Sequence, residues 1–458
     1  MRRRGGRITA LLATALMIPV GWVVAGPAAA GHARHPELLL RNGHHIHVVA
    51  VHRYDDRDWG AVVRSPALGR AVDVRLLLPS GYADHPHRHY PVLYLFHGTS
   101  GRASDWLKMG QAEQATAGLP LIVVMPDAGF DGDGGGWFTN WYDAHTKLGP
   151  SRWETFHVHQ LIPWVDANLR TVPDRAGRAI AGLSQGGFGS MSYAARHPDT
   201  FVSAASFSGA PDIAFNPVLA AGAAVVIEGT AVGLDGVTPD AMFGPRLTND
   251  INWRGHDPTT LVTNLRGMSL WLWTAEGLPG PYDHGLPAGA MAIEQITHAS
   301  TKFFYDRARR VGIPVHLDDY TFGTHTWAYW ARDLRQYLPH LMALFAHPRP
   351  RPAVVGYRSV EPRWSQWGWT VVMHRAARQQ FSALAGASRR GFRLTGNGSA
   401  TVTTLPAYRS GSRYLVSVAG PGRLARHVIT ARNRRLRLHL PLGHGHAATA
   451  TVRISPIG

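Results

Sequence analysis

The chain has 458 residues, 45% of them hydrophobic and 17% charged, so it has material for a large apolar core and for more than one globular unit. It contains no cysteine, which excludes disulfides, thiolate nucleophiles and cysteine-ligated zinc. The net charge of +17 sits at the ends: residues 351–458 hold seventeen arginines, no lysine, no aspartate and one glutamate (Glu361), the first thirty residues add +4, and residues 31–350 are left at −3.

At the start, Arg2, Arg3, Arg4 and Arg7 precede an apolar run from Ile8 to Val24 that ends near Ala28-Ala29-Ala30. That layout predicts an export signal over residues 1–30. The run approaches spanning length, so an uncleaved anchor is the alternative, and the paired arginines leave twin-arginine export open beside the general route. The expectation is a secreted protein, free or associated with the cell wall.

Residues 37–75 alternate apolar and polar side chains, as in His45–Val49 and Val72–Leu76, and predict antiparallel strands that lead into a sheet. The following runs do not alternate. Val92–Phe96, Leu121–Met125 and Ala179–Leu183 are continuously apolar and predict strands buried on both faces. Helical stretches fall between them at 153–169 and 187–196, then strands at 270–273 and 314–317, with helices at 288–310 and 333–346. Alternating buried strands and helices predict a doubly wound, mostly parallel sheet in a catalytic domain over 31–347. Arg349-Pro350-Arg351-Pro352 reads as a linker at 348–352. Beyond it, short runs at 369–372, 399–403, 414–418, 436–440 and 449–452 predict a small, basic, all-β, sandwich-like domain over 353–458.

Gly182-Leu183-Ser184-Gln185-Gly186 lies where a buried strand turns into a helix. The pattern is weak in a glycine-rich chain, but this setting lifts a serine hydroxyl off the sheet edge and points a helix N-terminus at developing negative charge. A serine hydroxyl needs a base, and His325 in Gly323-Thr324-His325-Thr326-Trp327 follows the last predicted strand. The clusters His44/His45/His47, His85/His87/His89 and His444/His446 lie elsewhere and read as surface residues; no metal and no cofactor is expected. For the orienting acid, Glu294, Glu276, Asp283, Asp318 and Asp319 all remain open. Two backbone amides should hold an oxyanion: that of Gln185, and that of Thr99 in Phe96-His97-Gly98-Thr99-Ser100. His97, Trp137, Trp141, Tyr142 and Trp327 are the candidate substrate contacts. Asp127-Ala128-Gly129-Phe130-Asp131-Gly132-Asp133-Gly134 lacks the length and closing glutamate of a calcium loop and reads as a rim of the site.

Several ordered segments resemble the esterase D-like branch of the α/β-hydrolases, and within it the secreted mycobacterial mycolyltransferase and diacylglycerol acyltransferase family. They are Tyr90–Leu95, Phe138-Thr139-Asn140-Trp141-Tyr142, Trp153-Glu154-Thr155-Phe156, the Ser184 turn, Met242-Phe243-Gly244-Pro245, and Gly323–Trp327 with Tyr329-Trp330. The resemblance runs from about Val62 to Leu344 and implies the α/β-hydrolase fold. It also implies that the acid is Glu294, which follows Leu286-Pro287-Ala288 about thirty residues before the histidine. This sequence departs from that family at the oxyanion loop, where His97-Gly98-Thr99-Ser100 replaces the usual Asp-Gly-Leu-Arg. It departs again after the nucleophile, where Gln185-Gly186-Gly187 takes the ordinary hydrolase form, and it lacks the family's cysteine pair.

The expectation is therefore a serine carboxylic-ester hydrolase acting on an ester or acyl-lipid substrate. An acyltransferase that passes the acyl group to a sugar or glycerol hydroxyl is the first alternative, and a non-catalytic wall-binding protein the second. The arginine-rich end predicts contact with an anionic wall polymer or lipid, and no specific nucleic acid.

Overall fold

A computed structural model describes residues 38–130, 135–375, 379–421 and 423–457. The export signal, Asp131–Gly134 and the side chain of His444 lie outside the described residues. The first sheet has nine strands, β1 (His47–Arg53), β2 (Asp58–Arg64), β3 (Ala71–Leu77), β4 (Val92–Phe96), β5 (Ile122–Pro126), β6 (Arg178–Leu183), β7 (Ser203–Phe207), β8 (Ser269–Thr274) and β9 (His316–Asp319), in the spatial order β1-β2-β3-β5-β4-β6-β7-β8-β9. The three leading strands pair antiparallel, and β5, β4, β6, β7, β8 and β9 run parallel, as expected. Every residue of β4, β5, β6 and β7 is buried, because helices cover both faces. The chain leaves β4 toward β5 and returns on the other side to β6, so a crevice opens at the carboxyl ends of these strands.

The helices are α1 (Asp105–Lys108), α2 (Ala112–Ala115), α3 (Ile162–Asn168), α4 (Gln185–Arg196), α5 (Pro217–Gly233), α6 (Asp250–His256), α7 (Ala288–Arg310) and α8 (Trp327–Ala346). The helix expected at 153–169 begins with a π-helical turn, Thr155–Leu161. Helix α8 starts at Trp327, earlier than expected, and carries Pro339 within it. Helix α5 was not anticipated: Gly222, Gly229 and the β-branched Val225 and Val226 interrupt its alanines, although Asn216 caps it and Pro217 opens it, and the segment is held by packing its inner Ala220, Ala224 and Ile227.

The second sheet comprises β10 (Val355–Ser359), β11 (Arg363–Gln366), β12 (Trp369–His374), β13 (Ser382–Ser388), β14 (Gly391–Thr403), β15 (Arg413–Gly420), β16 (Arg423–Thr430) and β17 (Arg437–Pro456). The strands expected at 436–440 and 449–452 are two parts of the single long β17. Inward residues of these strands, among them Trp369, Phe392, Leu394, Val416, Leu440 and Val452, share one core, so the sheet wraps around itself. It packs on the amino ends of the parallel strands. The Trp367 amide donates to Asp199 Oδ2 (2.6 Å) just before β7, Arg358 and Asn264 exchange two hydrogen bonds just before β8, and the Arg175 guanidinium lies over Trp367. The buried Arg196 closes this contact: it ends α4, binds Glu154 (2.8 Å), and reaches Glu361 (3.0 Å) in the turn between β10 and β11, the one acidic residue after residue 350.

Candidate active site

Ser184 joins β6 to α4 with φ 52° and ψ −123°, a left-handed conformation that a non-glycine residue adopts only when its surroundings impose it. The surroundings here are glycines. A Cβ on Gly182 would run into the Gly186 carbonyl, and one on Gly186 into the His97 carbonyl. The turn is therefore as tight as the G-x-S-x-G spacing allows, and the Ser184 amide is tied to the Phe207 carbonyl of β7 (2.9 Å).

His325 stands on the loop between β9 and α8. Its Nδ1 lies 2.8 Å from Glu294 Oε2, and its Nε2 is buried without a hydrogen-bond partner among the described residues. Trp330 meets the imidazole edge-on at 4.9 Å. Glu294 is wholly buried on the inner side of α7. Its Oε1 accepts hydrogen bonds from the Ser208 hydroxyl (2.8 Å), the Ala275 amide (2.9 Å) and the Thr274 hydroxyl (3.2 Å), which belong to the ends of β7 and β8. Donors on one oxygen and an imidazole on the other keep such a carboxylate oriented in a dry site.

The other acids have different partners. Asp318 pairs with Arg332, Asp319 with Lys302 and His298, and Glu276 is exposed. Asp283 accepts hydrogen bonds from the Thr324 hydroxyl and from Tyr329 Oη (2.7 Å), and so steadies the loop on both sides of His325. Burial works against its charge, but these donors and the Gly280 amide outweigh that and hold its carboxyl below the usual range.

Gly98 lets the loop after β4 approach the turn: a Cβ there would meet Leu183 at 2.7 Å and Ser184 Cβ at 3.2 Å. Thr99 is drawn to the same place, its hydroxyl accepting from Gln185 Nε2 at 3.1 Å. The Gln185 amide opens α4, where first-turn N–H groups have no intrahelical acceptor. Thr99 and Gln185 thus lie beside Ser184 at the cavity. His97 does not reach the substrate space as expected. Its Nδ1 donates to the Gly98 carbonyl (2.8 Å), its Nε2 accepts from the Ala128 amide (3.0 Å), and burial lowers its pKa and keeps it neutral. It braces the loop from behind.

Thr99, Ser184, Gln185 and His325 all line one cavity of about 420 Å³, with Trp137, Trp327 and Trp330 around them. Trp137 is presented there by a left-handed backbone (φ 47°), while its neighbour Phe138 stacks on Phe96 behind the turn. Two expected contacts are elsewhere: Trp141 is buried with its Nε1 on the Gly136 carbonyl, and Tyr142 is exposed beside the Met242 segment. Away from Ser184 the cavity is walled by Leu219, Ala223 and Val226 of α5 and by Ile293 and Ile296 of α7, which sequence reasoning missed. The α7 wall was not readable from amphipathicity, which would have put Glu294, Thr297, Ser300 and Thr301 in solvent, whereas these residues face inward and Thr297 and Ser300 line the cavity beside the two isoleucines. The outward face of α5 is also apolar, with Val218 81% and Val225 72% exposed.

Asp127, the first residue of the acidic loop, accepts from the Ala103 and Asp73 amides. Burial raises its carboxyl to about 7 despite these bonds. It ties the loop after β4 to β3.

The chain matches the family described as "Putative esterase" over residues 65–341. It is 42% identical over 172 residues to Esterase Rv1288 of Mycobacterium tuberculosis, a match that covers 37% of this chain and 36% of that protein. The chain thus spans about a third of that relative's length. It is 32% identical over 305 residues to the diacylglycerol acyltransferase/mycolyltransferase Ag85A of M. tuberculosis, covering 64% of this chain and 83% of that one. Among solved structures, M. tuberculosis MPT51 is similar with a TM-score of 0.50 and 27% identity, over 62% of this chain and 96% of that one.

Proposed function

The chain belongs to the Esterase family of α/β-hydrolases, and on that footing we propose that it is a serine carboxylic-ester hydrolase with Ser184 as nucleophile. The observation that carries this reading is the Glu294–His325 hydrogen bond (2.8 Å), which leaves a buried, unpartnered Nε2 in the cavity that also holds Ser184. With Glu294 accepting from Nδ1–H, Nε2 carries the lone pair and is the basic nitrogen. Ser184 Oγ attacks the acyl carbonyl as Nε2 takes its proton, and the Thr99 and Gln185 amides stabilise the oxyanion. His325 returns the proton to the leaving alcohol. A water deprotonated by the same Nε2 then releases the acid and restores Ser184. The aliphatic walls from α5 and α7 favour an acyl-lipid ester, and the charged leader supports export of the protein, free or bound to the wall.

A second reading is an acyltransferase, in which a sugar or glycerol hydroxyl replaces the water. The likeness to Ag85A supports it, and the cavity can serve both outcomes. The test uses 4-nitrophenyl esters of two to sixteen carbons with wild type and Ser184→Ala. Wild-type turnover that vanishes in the variant is the expected result, and added glycerol or sugar reports transfer as a new ester product. Equal turnover by both proteins rejects Ser184. A wild type inactive toward every ester and acceptor, yet retained on cell walls, would favour the non-catalytic reading.

A further inference from the structure

The second sheet carries a row of unpaired guanidinium groups. In antiparallel sheets directly paired residues share a face, as do residues two apart on a strand. Arg426 of β16 pairs with Ser417 of β15, and Ser417 pairs with Arg453 of β17. Thr451, two residues before Arg453, pairs with Arg393 of β14, and Arg413 lies four residues before Ser417 on the same side. All four arginines are exposed, and the alternate positions Phe392, Leu394, Val416, Val418 and Val452 point into the core. The face is therefore outward and continuous. Arg426 and Arg453 stand two strands apart, about 10 Å, and Arg453 and Arg393 are diagonal neighbours, about 7–8 Å.

No acid offsets this charge, since Glu361 is committed to Arg196, and none of the four arginines has an ion-pair partner among the described residues. Around Arg393 and Arg453 lie Thr395, Thr449, Thr451 and Ser417, short hydroxyl side chains that leave the guanidiniums accessible, while the exposed Leu424 and Val428 flank Arg426, and Leu415 lies between Arg413 and Ser417. The region's large aromatics Trp369, Phe392 and Tyr408 are buried, so this face offers no ring for stacking bases or anchoring at a bilayer interface.

We propose that this face binds a linear phosphodiester polymer that carries no bases, such as a polyol-phosphate chain, through Arg393, Arg413, Arg426 and Arg453. A guanidinium fork matches two phosphate oxygens, and a repeat of permanent negative charges complements the spaced row. The sheet docks on the amino ends of the parallel strands, whereas Ser184 and its cavity lie at their carboxyl ends. Binding there tethers the protein while the cavity mouth stays clear of the polymer.

The test measures binding of the full chain to purified poly(glycerol phosphate) over a series of salt concentrations. Four phosphate contacts give log K falling against log salt with a slope of about −3. Arg426→Gln/Arg453→Gln should lose at least tenfold in affinity at 0.1 M salt and flatten the slope. Arg309→Gln/Arg310→Gln, an exposed pair on α7 with the same change in charge, should lose less than twofold. Unchanged hydrolysis of 4-nitrophenyl acetate shows that each variant is folded. Equal losses in the two double variants, or no binding by wild type, would overturn the proposal. So would tighter binding to oligo(dT), or to phosphatidylglycerol vesicles, than to the polymer.

Discussion

Replacing Glu294 by Gln keeps the size of the side chain and changes one atom, so its effect can be worked from the hydrogen bonds around it. The Oε1 position faces three donors, including the Ala275 amide, and tolerates only an oxygen. The amide nitrogen is therefore driven to the Oε2 position, 2.8 Å from His325 Nδ1, where it must donate. Nδ1 then becomes an acceptor, the imidazole proton moves to Nε2, and the nitrogen that should take the Ser184 proton no longer can. Holding the wrong tautomer in a comparable relay costs about 10⁴-fold in turnover. We expect kcat to fall by about 10³–10⁴, or about 4–5.5 kcal/mol of transition-state stabilisation. KM should change less than threefold, because Glu294 lies behind the imidazole and does not line the cavity. The assay is the pH–rate profile of 4-nitrophenyl butyrate hydrolysis, with thermal unfolding as a control for folding. A properly folded variant that keeps more than a tenth of wild-type kcat would refute the assignment of Glu294 as the orienting acid.

Two further outcomes follow from the cavity and the buried acids. Ala223→Trp fills the aliphatic end of the cavity from α5, so turnover of a sixteen-carbon ester should drop more than tenfold relative to the two-carbon ester; an unaltered chain-length profile would mean that acyl chains take another path. Asp257 is buried beside Asp212, and burial together with that like charge raises its carboxyl to about 7. With the folded-state value above the unfolded one, wild-type stability should fall as pH rises from about 4 to about 7, by up to about 1.4 kcal/mol per pH unit. Asp257→Asn removes that slope, so the melting temperature of the variant relative to wild type should climb between pH 5 and pH 8; a difference independent of pH would show that Asp257 is ionised throughout.

The parts of this protein that could be read directly share one property: their signal is local. Continuous apolar runs marked β4, β5 and β6 as doubly buried strands, since a strand covered on both faces needs no polar side chain. The glycines on either side of Ser184 encode a turn that only a missing Cβ permits, and the lone Glu361 among seventeen arginines already declared the charge of the second sheet. What remained hidden depends on contacts between distant segments. Position alone left Glu294 with four rivals as the partner of His325, and the family resemblance pointed to Glu294; the fold brings it to 2.8 Å from the imidazole while giving Asp283, Asp318 and Asp319 other partners. His97 looked like a substrate contact beside the oxyanion loop, yet the Ala128 amide, thirty-one residues away, claims its ring. Helix α5 mixes strong helix formers (Ala220, Ala221, Ala223, Ala224) with Gly222, Gly229 and paired valines, a composition that did not announce it, and it is held because its inner alanines and Ile227 pack. The sequence by itself therefore determined the strands, the turn at Ser184 and the charge of the last hundred residues, whose causes lie within a few bonds. Tertiary structure decided the acid, the cavity walls and the side of the sheet on which the basic face sits, because those are set by which surfaces exclude water together.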